Sequence, residues 1–170
     1  MVNISMWTKA LRVIPRISRE EWVRLDLVSK WLVASRAAVF VMTALAAAIG
    51  GLLAYRYGSF SWDLFVMSVL GLVFAHATNN MLNDYVDHHQ GIDHKNYYRA
   101  QYGPQPLEHG LMSKRELLYY ILVTGMIAVF IGLYLILRTN LTTLWFLAAG
   151  LFFLGFYTWP LKYFGLGEPS

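Results

Sequence analysis

Leu64-Phe65-Val66-Met67-Ser68-Val69-Leu70-Gly71-Leu72-Val73-Phe74-Ala75-His76-Ala77-Thr78-Asn79-Asn80-Met81-Leu82 contains no Asp, Glu, Lys or Arg, and it runs straight into Asn83-Asp84-Tyr85-Val86-Asp87-His88-His89-Gln90-Gly91-Ile92-Asp93. A helix needs about 20 apolar residues to cross the hydrocarbon core of a bilayer, so the first part reads as a membrane span. The second part places carboxylates where that span ends. If the helix continues to His88, then Asn80, Asn83, Asp84 and Asp87 recur at i, i+3, i+4 and i+7 and share one face.

Three further uncharged runs have the same character: Ala37 to Tyr55, Leu117 to Leu137 and Leu141 to Leu161. The expected fold is therefore all-α, a polytopic membrane bundle of four transmembrane helices at about 33–55, 62–88, 116–137 and 141–161. A basic, amphipathic N-terminal segment (1–32) precedes a transmembrane domain (33–170), and the long loop 89–115 is the natural place to seek function. Composition agrees: of 170 residues 57% are hydrophobic and only 14% charged, and mean hydropathy is +0.44. Soluble, disordered, collagenous and disulfide-scaffold classes are excluded. With no cysteine, any metal must sit on oxygen or histidine.

Of the fourteen Lys and Arg, twelve lie in the N-terminal flank, the long loop and the C-terminal tail, and only Arg56 and Arg138 lie in the two short turns. Cytoplasmic flanks collect positive charge, so both termini and the Asp-rich loop are expected in the cytoplasm, with the cell membrane as the setting. The net charge of +4 then reports topology, and no nucleic-acid partner is expected. Ile4, Trp7, Leu11 and Ile14, interleaved with Lys9, Arg12 and Arg16, fit either a short helix on the anionic leaflet or a positive flank without fixed structure.

Two carboxylates a turn apart repel, and each is costly near a bilayer. Hard oxygen ligands at a membrane boundary suit Mg2+, which keeps several waters, takes one or two protein carboxylates and is completed by phosphate oxygens. Gly91 lets the chain turn back, so Asp93 could approach as a third carboxylate. The plainer alternative is a solvated helix end. His76 fits an interhelical hydrogen bond as well as a place in the site, and His88, His89 and His94 fit hydrated interfacial positions better than ligation. Interfacial belts account for most of the tyrosines and tryptophans.

Asn83, Asp84, Tyr85, Asp87, Gly91 and Asp93 match the pattern N-D-Y-x-D-x-x-x-G-x-D. This stretch, with Asn80, resembles the first aspartate-rich motif of the UbiA superfamily of intramembrane prenyltransferases, in the form used by the 1,4-dihydroxy-2-naphthoate branch of menaquinone biosynthesis. Pro106-Leu107-Glu108-His109-Gly110-Leu111-Met112-Ser113 resembles the family's R-P-L-x-x-G-x-x-S segment, with Gln105 in the place of the arginine. Tyr157-Thr158-Trp159-Pro160-Leu161-Lys162-Tyr163-Phe164-Gly165-Leu166-Gly167-Glu168 resembles a shortened Y-T-x-x-P…P-L-x-Y-x-G-L-G-E.

The resemblance implies Mg2+-dependent transfer of a prenyl group from a polyprenyl diphosphate to an aromatic acceptor. It implies that Asp84 and Asp87 hold the metal, that Asp93 is an outer ligand or base, and that Asn80, Asn83, Lys95, Arg99 and Tyr157 meet substrate. It covers only the N-terminal half of a fold of about nine helices. The second aspartate-rich motif of that fold does not occur here, since Glu168 is the only acid after Glu116. Three readings stay open: a fragment of a longer transferase, a half completed by a second chain, or a non-catalytic paralogue that binds prenyl diphosphate or Mg2+ or serves as a membrane scaffold.

Overall fold

The computed structural model describes residues 2–89 and 105–158, except for the side chains of 154–158. Helices make up the architecture: α1 (Ile4–Arg12), α2 (Arg19–Arg24), α3 (Leu27–Ala34), a 3-10 turn (Ala37–Val39), α4 (Phe40–Arg56), α5 (Trp62–His89), α6 (Lys114–Arg138) and α7 (Thr142–Thr158). No strand occurs among the described residues. Three helical stretches are long and apolar enough to cross a membrane: Ala37–Arg56, Trp62–His89 and Lys114–Arg138. Helix α7 is apolar but has 17 residues. The protein is an all-helical membrane bundle. Large apolar side chains such as Leu45, Leu52, Leu122, Phe130 and Phe146 are exposed along these helices, the pattern of surfaces that face lipid.

The chain divides into two compact units. Unit one comprises Met1–Met42 and His76–Val123. Its N-terminal helices are short and individually capped. Asn3 caps α1 by accepting from the Met6 N–H, and Ser18 and Glu21 form a reciprocal capping box on α2. Asp26 caps α3 and does more than cap it. Its carboxylate accepts from the backbone N–H groups of Val28, Ser29 and Asn3, from Ser29 Oγ at 2.6 Å and from Trp7 Nε1 at 3.1 Å. The Ser29 hydroxyl and these further donors hold the Asp26 carboxyl well below the usual carboxylate range. One side chain thus ties α1 to the start of α3. The short amphipathic helix forms and packs on α3 and the 3-10 turn, leaving Ile4 and Leu11 exposed.

The expected first span at 33–55 is interrupted. Helix α3 stops at Ala34, and Arg36 adopts a left-handed conformation (φ 54°, ψ 53°) before the 3-10 turn leads into α4. Among the described residues Arg36 is the single non-glycine with positive φ. Ser29, Val33, Ala34, Ser35 and Ala37 around this break are fully buried, as are Ala77, Met81 and Leu117. Helix α6 begins at a second capping box, Ser113 with Glu116.

Unit two comprises Thr43–Ala75 and Thr124–Ser170. Close helix approach is made by glycine: a Cβ on Gly132 would lie 2.8 Å from Leu147 Cδ1, and one on Gly71 would lie 3.0 Å from Ile131 Cγ2. Arg138 closes the end of α6 by pairing with Asp63 at 2.8 Å and donating to Tyr134 Oη at 2.6 Å.

Candidate functional site

Helix α5 has 28 residues, about 42 Å at 1.5 Å per residue, against a hydrocarbon core of about 30 Å. The helix thus exceeds the core by about 12 Å, roughly two turns, and Asp84 and Asp87 lie in its last two turns. Helical continuity through His89 meets the condition on which the shared face depends. At 100° per residue, Asn80, Asn83, Asp84 and Asp87 fall within roughly 100° of one another, His76 lies inside that arc, and Asn79 extends it to roughly 140°.

That face points into unit one. Asp84 is 3% exposed and Asp87 1%, while Asn80 and Asn83 are half-buried. A solvated helix end would show its carboxylates to water, so the plainer alternative does not describe these two acids. Asn80 Nδ2 donates to the Ser35 carbonyl at 2.9 Å and pins the polar face to the α3–α4 break. At the same break Arg36 Nη2 donates to Asp84 Oδ1 in an ion pair. A buried carboxylate needs such a partner, and the left-handed turn at Arg36 is part of the backbone path that presents it. One turn earlier, the His76 ring packs on Phe40 with centroids 5.6 Å apart.

Two participants escaped the sequence reading. Arg36 reads there as one of the twelve positive charges that set topology. The available signal is its position: a cation at the very edge of an uncharged run, in a bundle whose next helix ends in buried acids. Asn79 falls outside the pattern that starts at Asn80, yet it lies on the same arc, and its Oδ1 is buried without a hydrogen-bond partner.

The remaining candidate residues divide. Gln105 is buried and its backbone N–H donates to His109 Nδ1 at 3.0 Å; Pro106, Leu107, Leu111 and Met112 are buried with it, so this segment serves as core and Ser113 as a helix cap. His88 Nδ1 stands 3.3 Å from Glu108 Oε2, a side-chain pair rather than a ligand set. Asp93, Lys95, Arg99 and His94 lie outside the described residues, as does the side chain of Tyr157, whose backbone belongs to α7.

Among the described residues no three His, Asp or Glu side chains group into a metal cage. An all-protein site for a transition metal is not what this arrangement offers. Mg2+ asks for less, one or two carboxylates with the other positions left to water and phosphate. Asp84 and Asp87, with the orphaned Asn79 Oδ1 on the same arc, fit that demand.

A membrane helix bundle with a buried pair of aspartates near the end of a long helix, one of them ion-paired to an arginine, defines the class. The sequence profile of the UbiA prenyltransferase family matches residues 40–169, and the chain belongs to that family. Membership indicates prenyl transfer from a prenyl diphosphate to an aromatic acceptor in a membrane setting. No curated protein and no solved structure gives a significant match.

Proposed function

We propose that the chain carries a Mg2+-dependent prenyl diphosphate site of the 1,4-dihydroxy-2-naphthoate prenyltransferase type, with Asp84 and Asp87 as the metal-binding carboxylates. The supporting observation is that both acids are withdrawn from bulk water on one helical face, in a chain whose family handles allylic diphosphates. Bound Mg2+ would supply charge neutralisation of the departing diphosphate. The protein's own part is positional. Asn80 fixes the face against Ser35, Asn83 and Asn79 offer neutral oxygen or amide contacts, and the surrounding helices give the prenyl tail an apolar bed. Burial of that tail contributes about 0.8 kcal/mol per methylene, and the same dry surroundings keep water from a reactive allylic cation.

In this reading Asp93 is an outer ligand or base, Lys95 and Arg99 pair with diphosphate oxygens, and Tyr157 contacts substrate. The Asp-rich loop and both termini face the cytoplasm. Naphthoate as acceptor rests on the resemblance of the Gly91 and Asp93 spacing after Asp87 to the motif of the menaquinone branch.

The test is prenylation of 1,4-dihydroxy-2-naphthoate by the membrane-reconstituted chain with and without Mg2+. Turnover that needs Mg2+ and falls at least 100-fold in Asp84→Ala and Asp87→Ala, the scale of lost electrostatic stabilisation, is the expected result. Turnover unchanged in both variants would sink the assignment. Diphosphate binding without turnover would leave a binding paralogue.

A further inference from the structure

From the ion pair at the break before α4 we infer that Arg36 is the resident counter-cation of Asp84, which a divalent ion must displace in order to bind the aspartate pair. This rests on the reading of Asp84 and Asp87 as metal-binding carboxylates.

The two partners of the pair are unequally enclosed. The Asp84 side chain is 4% exposed, whereas the Arg36 side chain is 23% exposed. The carboxylate is fixed in the interior and the guanidinium keeps a way out, so the arginine is the member that can move. The backbone on either side is held. Ser35 is fully buried, and its carbonyl accepts from Asn80, which confines any displacement to the Arg36 side chain. The guanidinium is also under-used where it stands. Its Nε is buried without a hydrogen-bond partner, although arginine can present two parallel donors to one carboxylate. A pair built only for rigidity would use that fork. Left-handed backbone at a non-glycine residue, found here among the described residues at Arg36 alone, is a further sign that this position is specified for more than packing.

The consequence is competition. A guanidinium and a divalent cation cannot share the Asp84 oxygen without strong repulsion, so the metal binds only the fraction of molecules in which Arg36 has swung away, and its apparent affinity is lowered by that fraction. In metal-free protein the same arginine neutralises a buried charge and stabilises the fold.

The test is Mn2+ binding, followed by electron paramagnetic resonance, together with thermal unfolding of the full chain in lipid nanodiscs. Arg36→Asn is the informative variant, because asparagine tolerates left-handed backbone and so removes the charge without straining the turn. Arg36→Asn should bind Mn2+ roughly tenfold tighter than wild type, and without metal it should melt lower. Arg36→Lys keeps the positive charge and should stay within about threefold of wild type. Should Arg36→Asn fail to fold, Arg36→Gln carries the same expectation. If Arg36 variants bind Mn2+ equally or more weakly while wild-type binding still disappears in Asp84→Asn, the displacement idea is overturned and the metal assignment stands. If no Mn2+ binding depends on Asp84 in any of these proteins, both fall together.

Discussion

Neutralising each end of the Arg36–Asp84 pair, and then both ends, has a calculable signature in stability. Exposed ion pairs contribute about 0.2–1 kcal/mol, and removing one partner of a fully buried pair costs about 3–5 kcal/mol. Here the carboxylate is interior and the guanidinium about a quarter exposed, so the value falls between these limits. Asp84→Asn strands a partly buried cation and should destabilise metal-free protein by about 2–3 kcal/mol. Arg36→Asn removes the ion pair from the buried carboxylate but relieves a left-handed turn worth about 1 kcal/mol, so the net loss should be about 1–2 kcal/mol. With both changes neither charge is left without its counterpart. The double variant should therefore lose about 2 kcal/mol less than the sum of the singles. Denaturant unfolding of metal-free protein in detergent, followed by tryptophan fluorescence, measures the cycle. Single effects that add to within about 0.5 kcal/mol would refute the coupling, because independent sites behave that way.

Other perturbations follow from named contacts. Asn80→Ala removes the donor to the Ser35 carbonyl and should cost about 1 kcal/mol, read as faster proteolysis near the α3–α4 break. Gly132→Val forces Leu147 aside from a 2.8 Å approach and should destabilise by about 1–3 kcal/mol, with part of the loss recovered by Leu147→Ala, in thermal melts. The depressed pKa of Asp26 gives a definite sign: its contribution is complete above the unfolded carboxylate value of about 4 and is lost as pH falls below it. Acidification from pH 5 should therefore release α1, reported by Trp7 fluorescence, and Asp26→Asn should show that released signal already at neutral pH.

Helix type and order could be read from composition because lipid removes most alternatives: a backbone without water must close its own hydrogen bonds, so long uncharged runs become helices. The polar face of α5 could be read for the same reason, since i, i+3, i+4 and i+7 spacing has one geometric meaning once helix is granted. What could not be read is tertiary. Arg36 meets Asp84 across 48 positions of sequence, and nothing in the local pattern Ala34-Ser35-Arg36-Ala37 announces a left-handed break. The polar cap at Asp26 was equally hidden: an aspartate before Leu27 signals a helix start, but its bond to Trp7 exists only because α1 folds back on α3. The segment Gln105 to Ser113 shows a motif with a structural part that its pattern alone does not announce: Gln105, Pro106, Leu107, Leu111 and Met112 are buried, and its serine caps α6.

These contacts also explain why an otherwise lipid-soluble chain carries a charged, capped N-terminal region at all. Two interior carboxylates on α5 are costly at a bilayer boundary unless something brings them a countercharge and donors. The countercharge of Asp84 is Arg36 and a donor to the adjoining backbone is Asn80, and both depend on the helix breaking at Ser35 and Arg36 rather than running on as one long helix. The break in turn needs α3 to stop at Ala34 in a fixed place, which the Asp26 network at its other end provides by locking α3 to α1. The N-terminal segment thus acts on the aspartate pair through backbone geometry, without contributing a ligand of its own before Arg36. Removing residues 2–13 should accordingly lower the stability of the Arg36–Asp84 pair, detectable as a smaller coupling in the same double-variant cycle, while helices α4 to α7 still form. A coupling unaffected by that truncation would mean that the break at Arg36 is specified locally, by Ser35 and the 3-10 turn alone.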